Sequence, residues 1–105
     1  MKIKIVMSVA MALFGMLSSA QAQDKEALYV KSLAATCASC HGTNGKAVEG
    51  SSVTSLAGLD KNYIVAQMKA FRTGARPATI MHQLSKGYSN AQIESLATYF
   101  AAQKK

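Results

Sequence analysis

The sequence predicts an all-α fold of three main helices joined by loops, and three observations carry that expectation. Apolar residues recur at helical spacing in three separate segments of this 105-residue chain. Stretches rich in glycine, serine and threonine separate those segments. No alternating run is long enough for a strand.

The first helix is expected to run from an N-cap at Asp24 to about Thr36. Its Tyr29, Leu33 and Cys37 fall at i, i+4 and i+8 and so share one face. Gly42 to Gly58 reads as a loop, with Thr43-Asn44-Gly45 as a turn. The second helix opens on Asp60 as N-cap, stops at Gly74 and carries Ile64, Met68 and Phe71 as its apolar stripe. Residues 75 to 88 form another loop, opened by Arg76-Pro77 and closed by Gly87-Tyr88. The last helix is the best marked. Ser89 and Gln92 match the capping box S-x-x-Q, and Ile93, Leu96, Ala97 and Phe100 lie on one face.

Residues 1–22 read as a cleaved secretory signal peptide. Lys2 and Lys4 form a positive n-region, Ile5 to Leu17 a short apolar core, and Ala20-Gln21-Ala22 an A-x-A cleavage site. The apolar run is shorter than the roughly 18 residues that span a bilayer, so stable membrane insertion after cleavage is not expected. With no cysteine near the cleavage point, a lipid anchor is not expected either. The export target is the periplasm, and the mature domain is expected to be residues 23–105. A domain this short buries little core and calls for a staple.

The chain carries 12 Lys and Arg against 5 Asp and Glu. Removal of Lys2 and Lys4 with the leader leaves a net charge of +5. An exported protein rarely meets nucleic acid, and its basic residues are scattered rather than run together. Steering toward an acidic redox partner is the better use of the charge, with solubility alone as the alternative.

Chemistry concentrates in Cys37-Ala38-Ser39-Cys40-His41, which reads C-x-x-C-H, the c-type haem attachment pattern. These are the only two cysteines of the chain. Each thiol can add across one haem vinyl group, and the adjacent histidine is then placed under the iron. A thiol–disulfide centre would need a βαβ context, whereas residues 32–36 read as helix. Zinc would draw on Cys37, Cys40, His41 and His82, yet adjacent Cys40 and His41 could hardly both reach one tetrahedral metal. One haem is expected, since the motif occurs once. It would also be the staple, leaving the apoprotein largely unfolded. Gly42, next to His41, would allow the backbone to approach the porphyrin closely.

After the leader leaves, only Met68 and Met81 remain as methionine candidates for the other axial position. Met68 sits mid-helix on an apolar stripe, where core packing accounts for it. Met81 lies in an irregular loop after Pro77, where its thioether can be aimed at the iron. His82 beside it, or an open site suited to gas binding or peroxidase chemistry, are the alternatives. A soft thioether favours reduced iron and a closed coordination shell, which suits electron transfer.

Taken together, residues 24–103 resemble a class I cytochrome c, in element order, in Cys37 to Gly42 and in Leu96-x-x-Tyr99-Phe100 near the carboxy terminus. Cys40-His41-Gly42-Thr43-x-Gly45, Thr79-Ile80-Met81 and Ser85-Lys86-Gly87-Tyr88-Ser89 are similar to the cytochrome subunit of flavocytochrome c sulfide dehydrogenase. Cytochromes of the c4 and c553 types are similar more loosely. The resemblance implies the class I fold around one covalent haem c held by Cys37 and Cys40, with His41 and Met81 as axial ligands. It implies a one-electron carrier with no catalytic residues of its own. Its partners would be an FAD-bearing sulfide dehydrogenase subunit as donor and another cytochrome as acceptor. A free-standing electron shuttle is the broader version. The chain has no nucleotide-binding glycine fingerprint with which to hold the flavin itself. It departs from its relatives in one loop. Residues 50–55 lack proline where relatives often carry it, at a stretch whose carbonyl accepts the proximal histidine's second ring N–H.

Overall fold

The computed structural model describes residues 2–3, 21 and 24–105. In chain order its elements are α1 (24–35), α2 (Ala38–His41), a 3₁₀ turn at Thr43–Gly45, α3 (Lys61–Thr73), α4 (Met81–Leu84), a 3₁₀ turn at Ser85–Gly87 and α5 (Asn90–Ala101). No strand occurs among the described residues. The expected leader peptide and cleavage point lie outside them, apart from residues 2, 3 and 21.

Local signals set most of the boundaries. Asp60 Oδ1 accepts the Tyr63 N–H at 2.9 Å, satisfying one of the orphan donors that begin α3. Gly74 ends α3 in the left-handed region, at φ 81°, where a side chain is costly. At the start of α5 both capping-box bonds form: Gln92 N–H to Ser89 Oγ at 3.1 Å and Ser89 N–H to Gln92 Oε1 at 2.9 Å. Asp24 differs from expectation. It is itself helical, as is Gln21.

The core gathers where α1, α3 and α5 meet. Ala34, Ile64, Val65, Ile93, Leu96, Ala97 and Phe100 are buried, so every apolar residue expected on the inner face of α5 is inside. Tyr29 departs from the expected α1 face and is 46% exposed, because the helix turns Ala34 rather than Tyr29 into the core. Burying Ile93, Leu96 and Phe100 contributes about 1.5–3 kcal/mol each. Leu33, Leu56, Leu59, Met68 and Tyr88 pack against this cluster and are only half-buried. Lys61 and Glu94 pair at 3.3 Å between α3 and α5, but both side chains are nearly half exposed, so the pair contributes little.

The loop after the motif is tied down by backbone. The Gly45 carbonyl accepts the Leu56 and Ala57 N–H groups at 2.7 and 3.1 Å, and Gly58 N–H donates to the Phe100 carbonyl at 2.9 Å. Gly45 is buried with φ at 75°, and a Cβ there would stand 2.7 Å from the Phe100 ring. The loop therefore needs glycine both for its conformation and for its seat on α5.

Candidate haem site

The motif begins where α1 stops. The Cys37 carbonyl accepts the N–H of His41 at 2.9 Å and of Cys40 at 3.3 Å, which winds residues 38–41 into the single turn of α2. That turn places Cys37 half-buried against the core, Cys40 exposed and His41 half-buried. Both cysteines are free thiols. Burial pushes the Cys37 thiol up from its ordinary value; the Thr36 hydroxyl opposes this and Cys40 adds to it. Redox-active C-x-x-C pairs depend on a lowered thiol pKa, so this shift runs against thiol–disulfide chemistry.

His41 is oriented by one strong contact. Its Nδ1 lies 2.7 Å from the Thr54 carbonyl oxygen. A carbonyl only accepts, so in the neutral ring Nδ1 carries the proton and Nε2 keeps its lone pair. A metal-binding histidine needs this arrangement. The carbonyl comes from the proline-free 50–55 loop. That loop holds its place through Ser55, whose Oγ donates to the Gly45 carbonyl at 2.8 Å and accepts the Ala47 N–H at 3.2 Å.

Gly42 is required by its own loop. At φ 86°, a Cβ on it would lie 2.0 Å from the Lys46 carbonyl oxygen.

Met81 sits on an ordered turn instead of irregular loop. The Ile80 carbonyl accepts the Gln83 and Leu84 N–H groups at 2.9 and 3.1 Å, and the resulting α4 packs on α3 with Met81 as its first residue. Met81 and His82 are both half-buried. His82 Nδ1 is enclosed without a hydrogen-bond partner. Met68 packs on the core from α3, in keeping with a filling role. Cys37, Cys40, His41 and His82 do not converge as a zinc set would. Among the described residues no group of three or more His, Cys, Asp or Glu side chains is placed to hold a metal ion.

Three tyrosine hydroxyls that carry no motif bind the site's flanks to the carboxy-terminal half. Tyr29 Oη accepts from Gln92 Nε2 at 2.9 Å, Tyr99 Oη donates to Asn44 Oδ1 at 2.7 Å, and Tyr88 Oη meets Thr36 Oγ1 at 3.0 Å. Pairings across more than fifty residues leave no local signal in the chain.

These residues suit a covalently attached haem. There is a free thiol pair one helical turn apart, a histidine with its Nε2 lone pair available, and a set of apolar side chains packed against the core but only half-buried. The family comparison agrees: the Cytochrome c model matches residues 27–104, and the chain belongs to the cytochrome c family. The fold is that of a class I cytochrome c, and the cofactor is one covalently bound haem c.

Among curated relatives, the chain is 38% identical over 71 residues to a thiosulfate dehydrogenase electron acceptor of Thiomonas intermedia, covering 68% of this chain and 33% of that one. It is 37% identical over 68 residues to the cytochrome subunit of sulfide dehydrogenase of Chlorobaculum tepidum, covering 65% and 60%. A solved cytochrome c4 of Acidithiobacillus ferrooxidans superposes with a TM-score of 0.59 at 33% identity, covering 63% of this chain and 37% of that one. The chain thus spans from about a third to three-fifths of the length of these relatives. Among the described residues no helix is long and apolar enough to cross a membrane.

Proposed function

We propose that this protein is a periplasmic one-electron carrier whose haem is held by Cys37 and Cys40 and ligated by His41 and Met81. The observation that carries the reading is the 2.7 Å contact from His41 Nδ1 to the Thr54 carbonyl, which leaves Nε2 as the ligating atom. When bound, the haem supplies one-electron chemistry at its iron. The chain's residues do the rest. Thr54 fixes the tautomer and rotation of His41 and makes the imidazole a stronger donor. Helix α4 presents Met81 on its first turn, against α3. Two protein ligands leave no open coordination position for a substrate, so the protein would pass electrons without binding one at the metal.

In this reading the leader is cleaved after Ala22 and the mature domain is residues 23–105. The narrower role is the haem subunit of a sulfide-oxidising complex, taking electrons from an FAD-bearing subunit and passing them to another cytochrome. The resemblance around Met81 and the 37% identity to a sulfide dehydrogenase cytochrome subunit support it. The similar identity to a thiosulfate dehydrogenase electron acceptor supports a second role, a free-standing acceptor.

One measurement tests haem attachment and a second separates the two roles. Acid extraction of the denatured protein should leave haem on the polypeptide, and released haem would refute attachment at Cys37 and Cys40. Affinity purification from the native host should bring down a flavoprotein, and added sulfide should then reduce the haem. Recovery of the cytochrome alone, with reduction by thiosulfate dehydrogenase, would favour the free acceptor.

A further inference from the structure

We propose that Tyr88 is a clasp holding the Met81 segment against the C-x-x-C-H motif, with Thr36 as its catch and Arg72 as its anchor. The inference rests on ligation by Met81. Thr36 immediately precedes Cys37, while Tyr88 closes the segment that begins at Met81. Their hydroxyls meet at 3.0 Å. Among the described residues this is the sole hydrogen bond joining residues 81–88 to residues 24–45.

Donor accounting gives the bond a direction. The Thr36 hydroxyl already donates to the Leu33 carbonyl at 2.7 Å. That carbonyl lies far nearer than Cys37 Sγ at 4.0 Å and takes the one proton, so Tyr88 Oη–H is the donor to Thr36 Oγ1. The catch is stiff, because Thr36 is fixed to the last turn of α1.

The other end of Tyr88 is fixed as well. Half-buried Arg72, on α3, donates through Nη2 to the Tyr88 carbonyl and through Nη1 to Asn90 Oδ1 at 2.8 Å. The two-pronged guanidinium locks the backbone where the Met81 segment joins α5. Between these ends the Tyr88 ring packs on the core. The Tyr29 and Tyr99 hydroxyls bind α5 to α1 and to the Thr43–Gly45 turn, and neither reaches the Met81 segment.

Withdrawal of Met81 moves the segment that Tyr88 closes, so the clasp opposes that opening. Tyr88 is thus a positioning residue for the axial ligand, acting without touching the metal. Tyr88→Phe keeps the ring and deletes the bond.

The test uses oxidised holoprotein and imidazole as the competing ligand, following loss of the near-infrared methionine–iron band. The rate of methionine displacement should rise about fivefold in Tyr88→Phe, the effect of one net hydrogen bond. Thr36→Val should match it, the double variant should add nothing further, and Thr36→Ser should restore the wild-type rate. Unchanged displacement in Tyr88→Phe, or full additivity in the double variant, would overturn the clasp while leaving Met81 ligation intact. A wild type without the band would overturn the ligation on which the clasp depends.

Discussion

Replacing Gly45 by alanine should be among the most damaging single-methyl changes in this protein, and Gly50→Ala provides its internal control. Both residues have positive φ, 75° and 80°. The left-handed conformation alone costs a non-glycine residue about 1–2 kcal/mol. At Gly50 a new Cβ meets nothing within 4 Å, so that cost stands alone. At Gly45 the Cβ would lie 2.7 Å from Phe100 Cδ1 and 2.9 Å from Leu56 Cβ. Phe100 is buried, at 2% exposed, so its ring is held by its neighbours. Forcing a methyl into such a site adds about 1–3 kcal/mol. The sum for Gly45→Ala is about 2–5 kcal/mol, a large part of the roughly 5–15 kcal/mol that stabilises a typical domain. Urea unfolding of the two holoproteins, followed by far-ultraviolet circular dichroism, measures the difference. With a urea slope of about 1–2 kcal/mol/M for a chain this size, the Gly45→Ala midpoint should fall below that of Gly50→Ala by about 0.5–3 M. Equal midpoints would refute the seating of the motif loop on Phe100.

Other outcomes follow from the same contacts. Ser55→Ala removes the hydroxyl that ties the Thr54 segment to Gly45 and Ala47. Loosening the His41–Thr54 bond weakens the imidazole as a donor, so the reduction potential should rise by about 20–40 mV, converting roughly 0.5–1 kcal/mol for one electron; protein-film voltammetry reads it. A fall in potential would contradict the assigned tautomer. Ser89→Ala should cost about 1 kcal/mol in urea titration, because the Gln92 N–H loses its cap. Ser89→Asp keeps an acceptor at the same place and should recover most of that loss.

Legibility of the sequence divides along physical lines. Short-range signals were readable: Asp60, Gly74 and the Ser89–Gln92 box act within one helical turn of themselves, and Ile93, Leu96, Ala97 and Phe100 share a face by period alone. Cys37, Cys40 and His41 were equally plain, because attachment chemistry demands contiguity. Elimination singles out Met81 as the candidate ligand, but its helical turn is hidden from the sequence. Pro77 and the small residues around it read as loop, whereas the Ile80 carbonyl starts a turn with no side-chain cap. That Gly42 also seats its own loop against the Lys46 carbonyl is set by loop closure, which no local pattern encodes. Thr54, Thr36, Tyr88 and Arg72 were invisible for the same reason. Their partners are carbonyls or hydroxyls far along the chain.

The near-infrared spectrum of the oxidised holoprotein tests the central claim most directly. Wild type and His82→Ala should both show the methionine–iron charge-transfer band, and Met81→Ala should lose it. A wild type that lacks the band and readily binds carbon monoxide when reduced, or a band that survives in Met81→Ala, would contradict the closed His41/Met81 site.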